Sequence, residues 1–149
     1  METIVTRQLV TFALGAEEYG IDIAQVQEIN RIVPITRIPR SAEHVEGVIN
    51  LRGQLIPVMD LRTRFGMARI EPTRMSRIIV TEVHGRRIGL IVDSVSEVAQ
   101  IPLADIEPTP DFVAVAHPEF LHGVGKLKQR LIILLNVEKV VDSLGASTG

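Results

Sequence analysis

The feature that most constrains the fold is an internal repeat. Shifting residues 9–29 by 69 positions lays Leu9-Val10 on Ile78-Ile79, Gly20 on Gly89, Ile21 on Leu90, Val26 on Val95, Glu28 on Glu97 and Ile29 on Val98, without a gap. Shifting the stretch from Gly47 by 76 positions lays Gly47-Val48 on Gly123-Val124, Leu51 on Leu127 and Leu55-Ile56 on Leu131-Ile132, five identities in ten positions. Asp60 then falls on Asn136, a residue of the same helix-capping type. Any two alternating β sequences match partly by chance, but chance is the weaker account of matches at fixed offsets in one order of elements. The difference between the offsets falls in the connection before Gly47, where insertions are thermodynamically cheap.

Read locally, each unit has the same plan. Gln8 to Leu14 alternates as a half-buried strand, Gly15 to Glu18 is a polar turn, and Tyr19 to Ile23 completes a hairpin. Asp22 or Ile23 is predicted to start a short helix, with Val26, Gln27 and Ile29 or Asn30 at helical spacing and Glu28 on its flank. Pro34 and Pro39 make residues 30–39 extended, and 41–46 reads as loop. Val48–Leu51 and Leu55–Met59 form a hairpin around Arg52-Gly53. Asp60 then caps a short turn in which Leu61 and Phe65 pair. In the second unit the strands are Arg77–Val83 and Arg87–Val92, followed by a short helix capped by Asp93 or Ser94 and running through Val98. A proline-punctuated connection leads to the hairpin Gly123–Leu127 and Leu131–Leu135. Asn136 caps a last helix with Val137, Val140, Val141 and Leu144 on one face, ended by Gly145.

Residues 66–76, GMARIEPTRMS, have no periodicity and mark the boundary between units. The first spans approximately 7–70 and the second approximately 76–145, with room for terminal elements to exchange between them. Of the 149 residues, 46% are hydrophobic and only 3% aromatic, so the core must be aliphatic. A unit of this size buries too small a share of its surface to stand alone. The expected fold is therefore all-β with short helices: two curled sheets or small barrels of about five strands, packed around a shared hydrophobic region. The groove along that seam is a natural place for a partner.

Catalytic chemistry finds little support. There are no cysteines, which excludes disulfides, thiolate metal sites and a Cys nucleophile, and fits a reducing cytoplasm. His117, Glu119 and His122 carry the letters of a metalloprotease motif in the wrong order, and Pro118 and Gly123 argue against one helix presenting both imidazoles. His44 and His84 are single histidines in polar turns. Gly123–Lys126 lacks the first glycine and the hydroxyl residue of a phosphate loop, and the repeat places it on a strand. Asp22, Asp60 and Asp93 stand where caps are needed. No cofactor or metal is expected. Net charge is −2, so nothing draws the chain to nucleic acid. No apolar run is long enough to insert in a membrane and no signal peptide is visible at the N-terminus.

Partner chemistry is better represented. Arg52 occupies a hairpin tip between apolar strands, and arginine is favoured at interfaces because its planar fork holds carboxylates. The competing reading is a solvent-facing turn residue. The second unit has Lys128 and Gln129 there, so the turn does not itself require Arg-Gly. Glu28 is repeated by Glu97, which favours a structural role, such as pairing with a nearby arginine. Lys126, Lys128 and Arg130, at the other tip, read as solvated. What stays unrepeated in the Gly47 stretch is Asn50, Arg52 and Gly53.

The segments FALGAEEYGIDIAQVQEI (Phe12–Ile29), GVINLRGQLIPVMDLRTRF (Gly47–Phe65), IEPTPDF (Ile106–Phe112) and LIILLNVEKVV (Leu131–Val141) closely resemble the CheW family, the adaptor proteins of bacterial chemotaxis, over nearly the whole chain and in order. The resemblance implies two five-stranded SH3-like β-barrels around a common hydrophobic region and no enzymatic activity. It implies a cytoplasmic adaptor bridging two partners: the regulatory domain of the histidine kinase CheA, and the cytoplasmic tip of methyl-accepting chemoreceptors in membrane arrays. Carried onto matching positions, it sets Val26, Glu28, Ile29, Asn50, Arg52 and Gly53 at or beside the partner surfaces, with Gly47 where a side chain would obstruct packing. The alternatives are an adaptor of the same fold in a parallel pathway for pili, gliding or gene expression, and a small-molecule-binding β-barrel.

Overall fold

The computed structural model describes residues 5–38, 45–109 and 118–146. Short turns fold consecutive apolar runs into antiparallel hairpins. β1 (Thr6–Leu14) pairs with β2 (Glu17–Asp22), and β4 (Val45–Leu51) with β5 (Gln54–Asp60). β6 (Arg77–Val83) pairs with β7 (Arg86–Val92), and β10 (Leu121–Leu127) with β11 (Arg130–Leu135). At Arg52-Gly53 and His84-Gly85 both turn residues have positive φ, the geometry that matches strand twist in a two-residue hairpin. Three further strands are β3 (Val26–Arg31), β8 (Ser94–Pro102) and the short β9 (Ile106–Glu107). α1 (Leu61–Arg64) and α2 (Val137–Ala146) follow the two repeated hairpins.

The strands form two SH3-like barrels. One sheet runs β8-β1-β2-β11-β10-β9, the other β3-β6-β7-β5-β4. Laid on the sequence repeat, the two orders are the same, because β3 corresponds to β8, β6-β7 to β1-β2, and β4-β5 to β10-β11. Thr36, bridged to Val48 by two backbone hydrogen bonds of 2.9 and 2.8 Å, stands where β9 stands in the other sheet. Each sheet therefore takes one hairpin from the other repeat. The crossing is made by parallel pairing, Leu134 with Gly20 and Val58 with Gly89, at corresponding positions. Glycine eases the close approach: a Cβ on Gly89 would lie 2.9 Å from Ile78 Cγ2, and one on Gly20 would lie 3.1 Å from Ile132 Cγ2, so a larger residue would push these side chains aside.

Two expected helices are strands. Residues 23–30 hold only a 3-10 turn, Ile23–Gln25, capped by Asp22 Oδ1, which accepts from the Ala24 N–H at 2.9 Å; β3 follows directly. Likewise 94–98 belongs to β8. The physical reason is a β-bulge in each: the register skips Gln27 between Val26 and Glu28, and Ser96 between Val95 and Glu97. One extra residue breaks the period of two and imitates helical spacing. Asp93 caps no helix; its role is described below. Loop 41–44, Pro39 and Pro110, and the side chain of Leu144 lie outside the described residues. Val137, Val140 and Val141 of the same helix are buried, and Asn136 Oδ1 accepts from the Lys139 N–H at 3.3 Å.

Hydrophobic packing separates into three bodies. Ile49, Leu51, Ile56, Val58, Ile78 and Val80 fill one barrel. Leu9, Ile101, Ile132 and Leu134 fill the other. Between them lies a larger shared core built from both sheets, including Val10, Phe12, Ile21, Met59, Ile79 and Leu90. Strands such as β1 are buried on both faces, with Leu9 pointing into a barrel and Val10 into the seam. Four of the five aromatic residues stand in that seam in one row, Phe12–Tyr19–Phe65–Phe120, at centroid spacings of 5.7, 5.7 and 5.9 Å, the first pair stacked and the next two tilted. Scarce aromatic mass is thus spent joining the barrels.

A polar latch backs this seam. Asp93 follows β7, and its two carboxylate oxygens accept from Arg62 Nε at 2.8 Å and Nη2 at 2.6 Å. The Gly15 N–H, in the β1–β2 turn, also donates to Asp93 at 2.8 Å. The Asp93 N–H donates to the Ala13 carbonyl at 3.1 Å, and Arg62 Nη1 to the Ala68 carbonyl at 3.2 Å. One ion pair therefore ties α1, the β1–β2 turn of the other sheet and the start of β8 together.

Candidate functional site at one barrel end

Past the bulge β3 alternates, with Glu28 and Asn30 on the face of Val80 and Ile78 and with Ile29 and Arg31 on the other, more exposed one; Val26, before the bulge, shares the face of Ile29. Barrel curvature then carries the β4–β5 turn over Glu28. Arg52 Nη2 donates to Glu28 Oε2 at 2.6 Å, and Asn30 Nδ2 donates to Glu28 Oε1 at 2.8 Å. These two bonds, the Asn30 amide first and then Arg52, hold the Glu28 carboxyl below its usual range, so it is ionised at neutral pH. The Arg52 side chain is 70% exposed, and among the described residues its Nε and Nη1 have no acceptor. Its backbone is left-handed, at φ 51°, a conformation shared by His84 and Lys128 at the tips of two other hairpins. Gly53 follows at φ 85°, and its N–H donates to Asn50 Oδ1 at 2.8 Å.

The surroundings make a shallow depression of about 320 Å³, lined by Gln27, Glu28, Arg52, Ile56, Val80 and Arg87. Arg87 Nη1 donates to Gln54 Oε1, and Gln27 Nε2 to Glu82 Oε2. Ile29 on β3 and Leu55 on β5, at 40% and 70% exposure, leave aliphatic surface uncovered nearby along the chain. The arrangement offers a guanidinium with free donors, a fixed carboxylate and the apolar side chains Ile56 and Val80 in the lining. That inventory suits protein recognition.

Of the residues singled out in the sequence, the structure brings Glu28 and Arg52 into contact, with Ile29, Asn50 and Gly53 adjacent along the chain. Asn50 shapes the turn through its side-chain carbonyl. Val26 packs against the shared core. Gly47 sits five residues back along β4 from Arg52, roughly 17 Å at strand rise. A Cβ there would lie 2.8 Å from the Thr36 carbonyl carbon and 2.9 Å from Ile35 Cγ2, and closer still to the Thr36 oxygen. Its part is to let the Thr36 bridge form. Asn30, Arg87 and Gln54 were not read from the sequence. Period two from Glu28 identifies Asn30 once 26–31 is known to be a strand; Arg87 and Gln54 enter only through curvature.

The second barrel repeats this end with altered charges. Glu97 stands for Glu28, Lys128 for Arg52, Arg130 for Gln54 and Glu18 for Arg87. The basic cluster expected to be solvated is instead largely paired. Arg130 Nη1 donates to Glu97 at 2.6 Å, its Nε donates to Glu18 at 3.0 Å, its Nη2 also reaches Glu18, and Lys126 pairs with Glu107 at 2.9 Å. Those carboxylates hold the Arg130 guanidinium still further above its usual range. In the second barrel Glu97 and Glu18 are thus held by Arg130, and Lys128, the counterpart of Arg52, is exposed and makes no ion pair among the described residues, whereas in the first barrel the hairpin-tip Arg52 itself holds Glu28 and keeps donors free. Glu119 lies in a 3-10 turn and His122 on β10, not on one helix; His44 and His117 lie outside the described residues. Among the described residues no cluster of three or more His, Asp or Glu is placed to hold a metal, and no helix is long and apolar enough to cross a membrane.

Comparison with known proteins gives one consistent result. The model of the CheW-like domain family matches residues 8–145. The chain is 38% identical over 139 residues to a chemotaxis protein CheW of Klebsiella aerogenes, covering 93% of this chain and 84% of that one. It is 39% identical over 137 residues to a chemotaxis protein CheW of Rhizobium meliloti, covering 92% and 88%. The crystal structure of the scaffolding protein TtCheW from Thermoanaerobacter tengcongensis superposes with a TM-score of 0.85 at 40% identity, covering 93% of this chain and 94% of that chain.

Proposed function

Because the chain belongs to the CheW family, we propose that it is a non-catalytic cytoplasmic adaptor that couples methyl-accepting chemoreceptors to the histidine kinase CheA, joining membrane receptor arrays through these partners. The observation that carries the site reading is how each barrel end holds its repeated carboxylate: Glu28 is held by the hairpin-tip Arg52, which is 70% exposed and keeps free donors, while Glu97 is held by Arg130 from the following strand and the tip Lys128 makes no ion pair among the described residues. In this reading the Glu28–Arg52 end, with the exposed Ile29 and Leu55 next to it in sequence, contacts the kinase regulatory domain or the receptor tip. Val26, Gly47, Asn50 and Gly53 hold the strand, bridge and turn that present it. Coupling is geometric. The adaptor holds both partners in fixed relation, so that a receptor conformation with better contacts in one kinase state shifts the population toward that state.

The test is co-precipitation of the full chain with the kinase regulatory domain and with a receptor cytoplasmic fragment. Binding to at least one is expected, and Arg52→Glu weakens it about tenfold or more, as for a charge reversal at an interface. The ion pair is exposed, so its loss moves stability by no more than about 1 kcal/mol. Binding to neither partner would end the adaptor reading. Loss of binding matched by loss of fold would make Arg52 structural.

A further inference from the structure

A second polar surface lies beyond the far end of β3. Arg31 closes β3 and Arg77 opens β6, and the two are direct cross-strand partners. Like charges so opposed are unfavourable, and no carboxylate relieves them: among the described residues neither makes an ion pair. Arg74, exposed and likewise unpaired, lines a depression of about 660 Å³ with Arg31, Ile32, Thr73, Met75 and Ser76, and no acidic side chain is among them. Glu71, two residues before Thr73, is exposed and pairs with none of these arginines. Several cations elsewhere are paired, Arg7 with Asp22, Arg62 with Asp93, Arg69 with Glu46 and Lys126 with Glu107, while Arg86, Lys128 and Lys139 stand singly; among the described residues, only at the ledge are two unpaired arginines direct cross-strand neighbours.

The ledge is also built in advance. Arg77 Nη1 donates to the Arg74 and Ser76 carbonyls at 2.8 Å each. The Thr73 N–H donates to Ser76 Oγ at 2.8 Å, and the Ser76 N–H to the Thr73 carbonyl at 3.1 Å. The Met75 side chain, 62% exposed, lines the same depression as Arg31 and Arg74. Arg31 lies three residues from Glu28 along β3, roughly 10 Å at strand rise, so this is a separate face from the Glu28–Arg52 end.

We propose that this ledge docks an acidic segment of a partner protein, its carboxylates set on Arg31, Arg74 and Arg77 and an aliphatic side chain laid over Met75. A carboxylate between Arg31 and Arg77 relieves their repulsion and accepts from a planar fork, the geometry arginine serves best. A long polyanion fits worse. The chain as a whole carries −2, so phosphates running past the three arginines would meet a net acidic body. The proposal does not rest on the adaptor reading.

The probe is a synthetic peptide of three Glu-Leu-Glu-Ala-Glu repeats, titrated into the isotope-labelled full chain. Amide shifts are expected at Arg31 and from Thr73 to Arg77, fading as salt is raised. Affinity should fall at least tenfold in Arg31→Glu and Arg74→Glu, stay unchanged in Lys139→Glu, and vanish when glutamine replaces every glutamate of the peptide. Arg31→Glu also sets a carboxylate opposite Arg77, so its Tm should hold or rise while binding is lost; this separates loss of binding from loss of fold. Shifts elsewhere, affinity insensitive to both ledge substitutions, or binding to inorganic phosphate or phosphatidylserine vesicles in preference to the peptide would overturn the proposal.

Discussion

Removing the Arg62 guanidinium should unlatch the two sheets. The Arg62 and Asp93 side chains are 15% and 21% exposed, so the pair is nearer to a buried bridge than to a surface one. An exposed pair contributes about 0–1 kcal/mol. Breaking a buried one by deleting a single partner costs about 3–5 kcal/mol, because the remaining charge loses its compensation. Asp93 keeps the Gly15 N–H and some access to water, which places Arg62→Ala at about 2–3 kcal/mol, or roughly 5–10 °C in Tm for a chain of this size. The pH dependence identifies the cause. Arg62 is the first of the groups that hold the Asp93 carboxyl below its ordinary value. A depressed carboxylate contributes stability that is present above the unfolded value of about 4 and lost as pH falls through the folded value. Urea unfolding of wild type and Arg62→Ala should therefore show a constant gap from pH 6 to 8 that narrows below about pH 4. In a double-mutant cycle with Asp93→Ala, the coupling should exceed about 1 kcal/mol. A neutral-pH loss below about 0.5 kcal/mol, within the ordinary range for surface substitutions, would refute the latch, as would a gap that persists undiminished into acid.

Other sites make separate claims. Gly47→Ala should cost about 2–3 kcal/mol by overpacking against the Thr36 carbonyl, whereas Gly53→Ala, which meets nothing within 4 Å, should cost only the left-handed backbone, about 1–2 kcal/mol; equal losses in urea titration would contradict this. Asp60, buried at the α1 N-terminus, has its carboxyl pushed up first of all by desolvation. Its raised folded value means that ionisation lowers stability as pH rises through the unfolded and folded values. Asp60→Asn, which keeps a capping oxygen for the Arg62 N–H, should be at least as stable as wild type at pH 7, with the difference disappearing in acid. Calorimetry at pH 3.5 and 7 decides it; a large loss at pH 7 would mean that the charge itself is needed.

The repeat was readable because strand faces and turn types leave local marks. The apolar runs Val48–Leu51 and Leu55–Met59 flank one tight turn and Gly123–Leu127 and Leu131–Leu135 another, Asp60 and Asn136 mark helix starts, and Glu97 echoing Glu28 pointed to a carboxylate that pairs with arginine. The bulges at Gln27 and Ser96 hid β3 and β8, because one inserted residue removes the period on which strand recognition depends. The pairing of hairpins across repeats left no local trace either. β1-β2 and β6-β7 read alike, and their destination is fixed by distant contacts of Gly20 with Leu134 and Gly89 with Val58. At the site, Arg52 stood out as a cation between apolar strands. Arg87 and Gln54 did not, since only curvature brings β5 and β7 to Glu28.

The exchange of hairpins has a consequence for what kind of object this chain is. Neither half, cut in the 66–76 connection, could complete its own sheet, yet two copies of one half could complete each other's by trading hairpins. The protein is in effect a two-fold dimer written on a single backbone. A true homodimer must change both sites at once whenever one residue is replaced. Joined end to end, the two halves are free to diverge, and they have: Lys128 stands in place of Arg52, Glu18 in place of Arg87, and Arg130 in place of Gln54. Covalent linkage is what lets one barrel end hold its carboxylate with the hairpin-tip arginine while the other holds it with an arginine that opens the next strand.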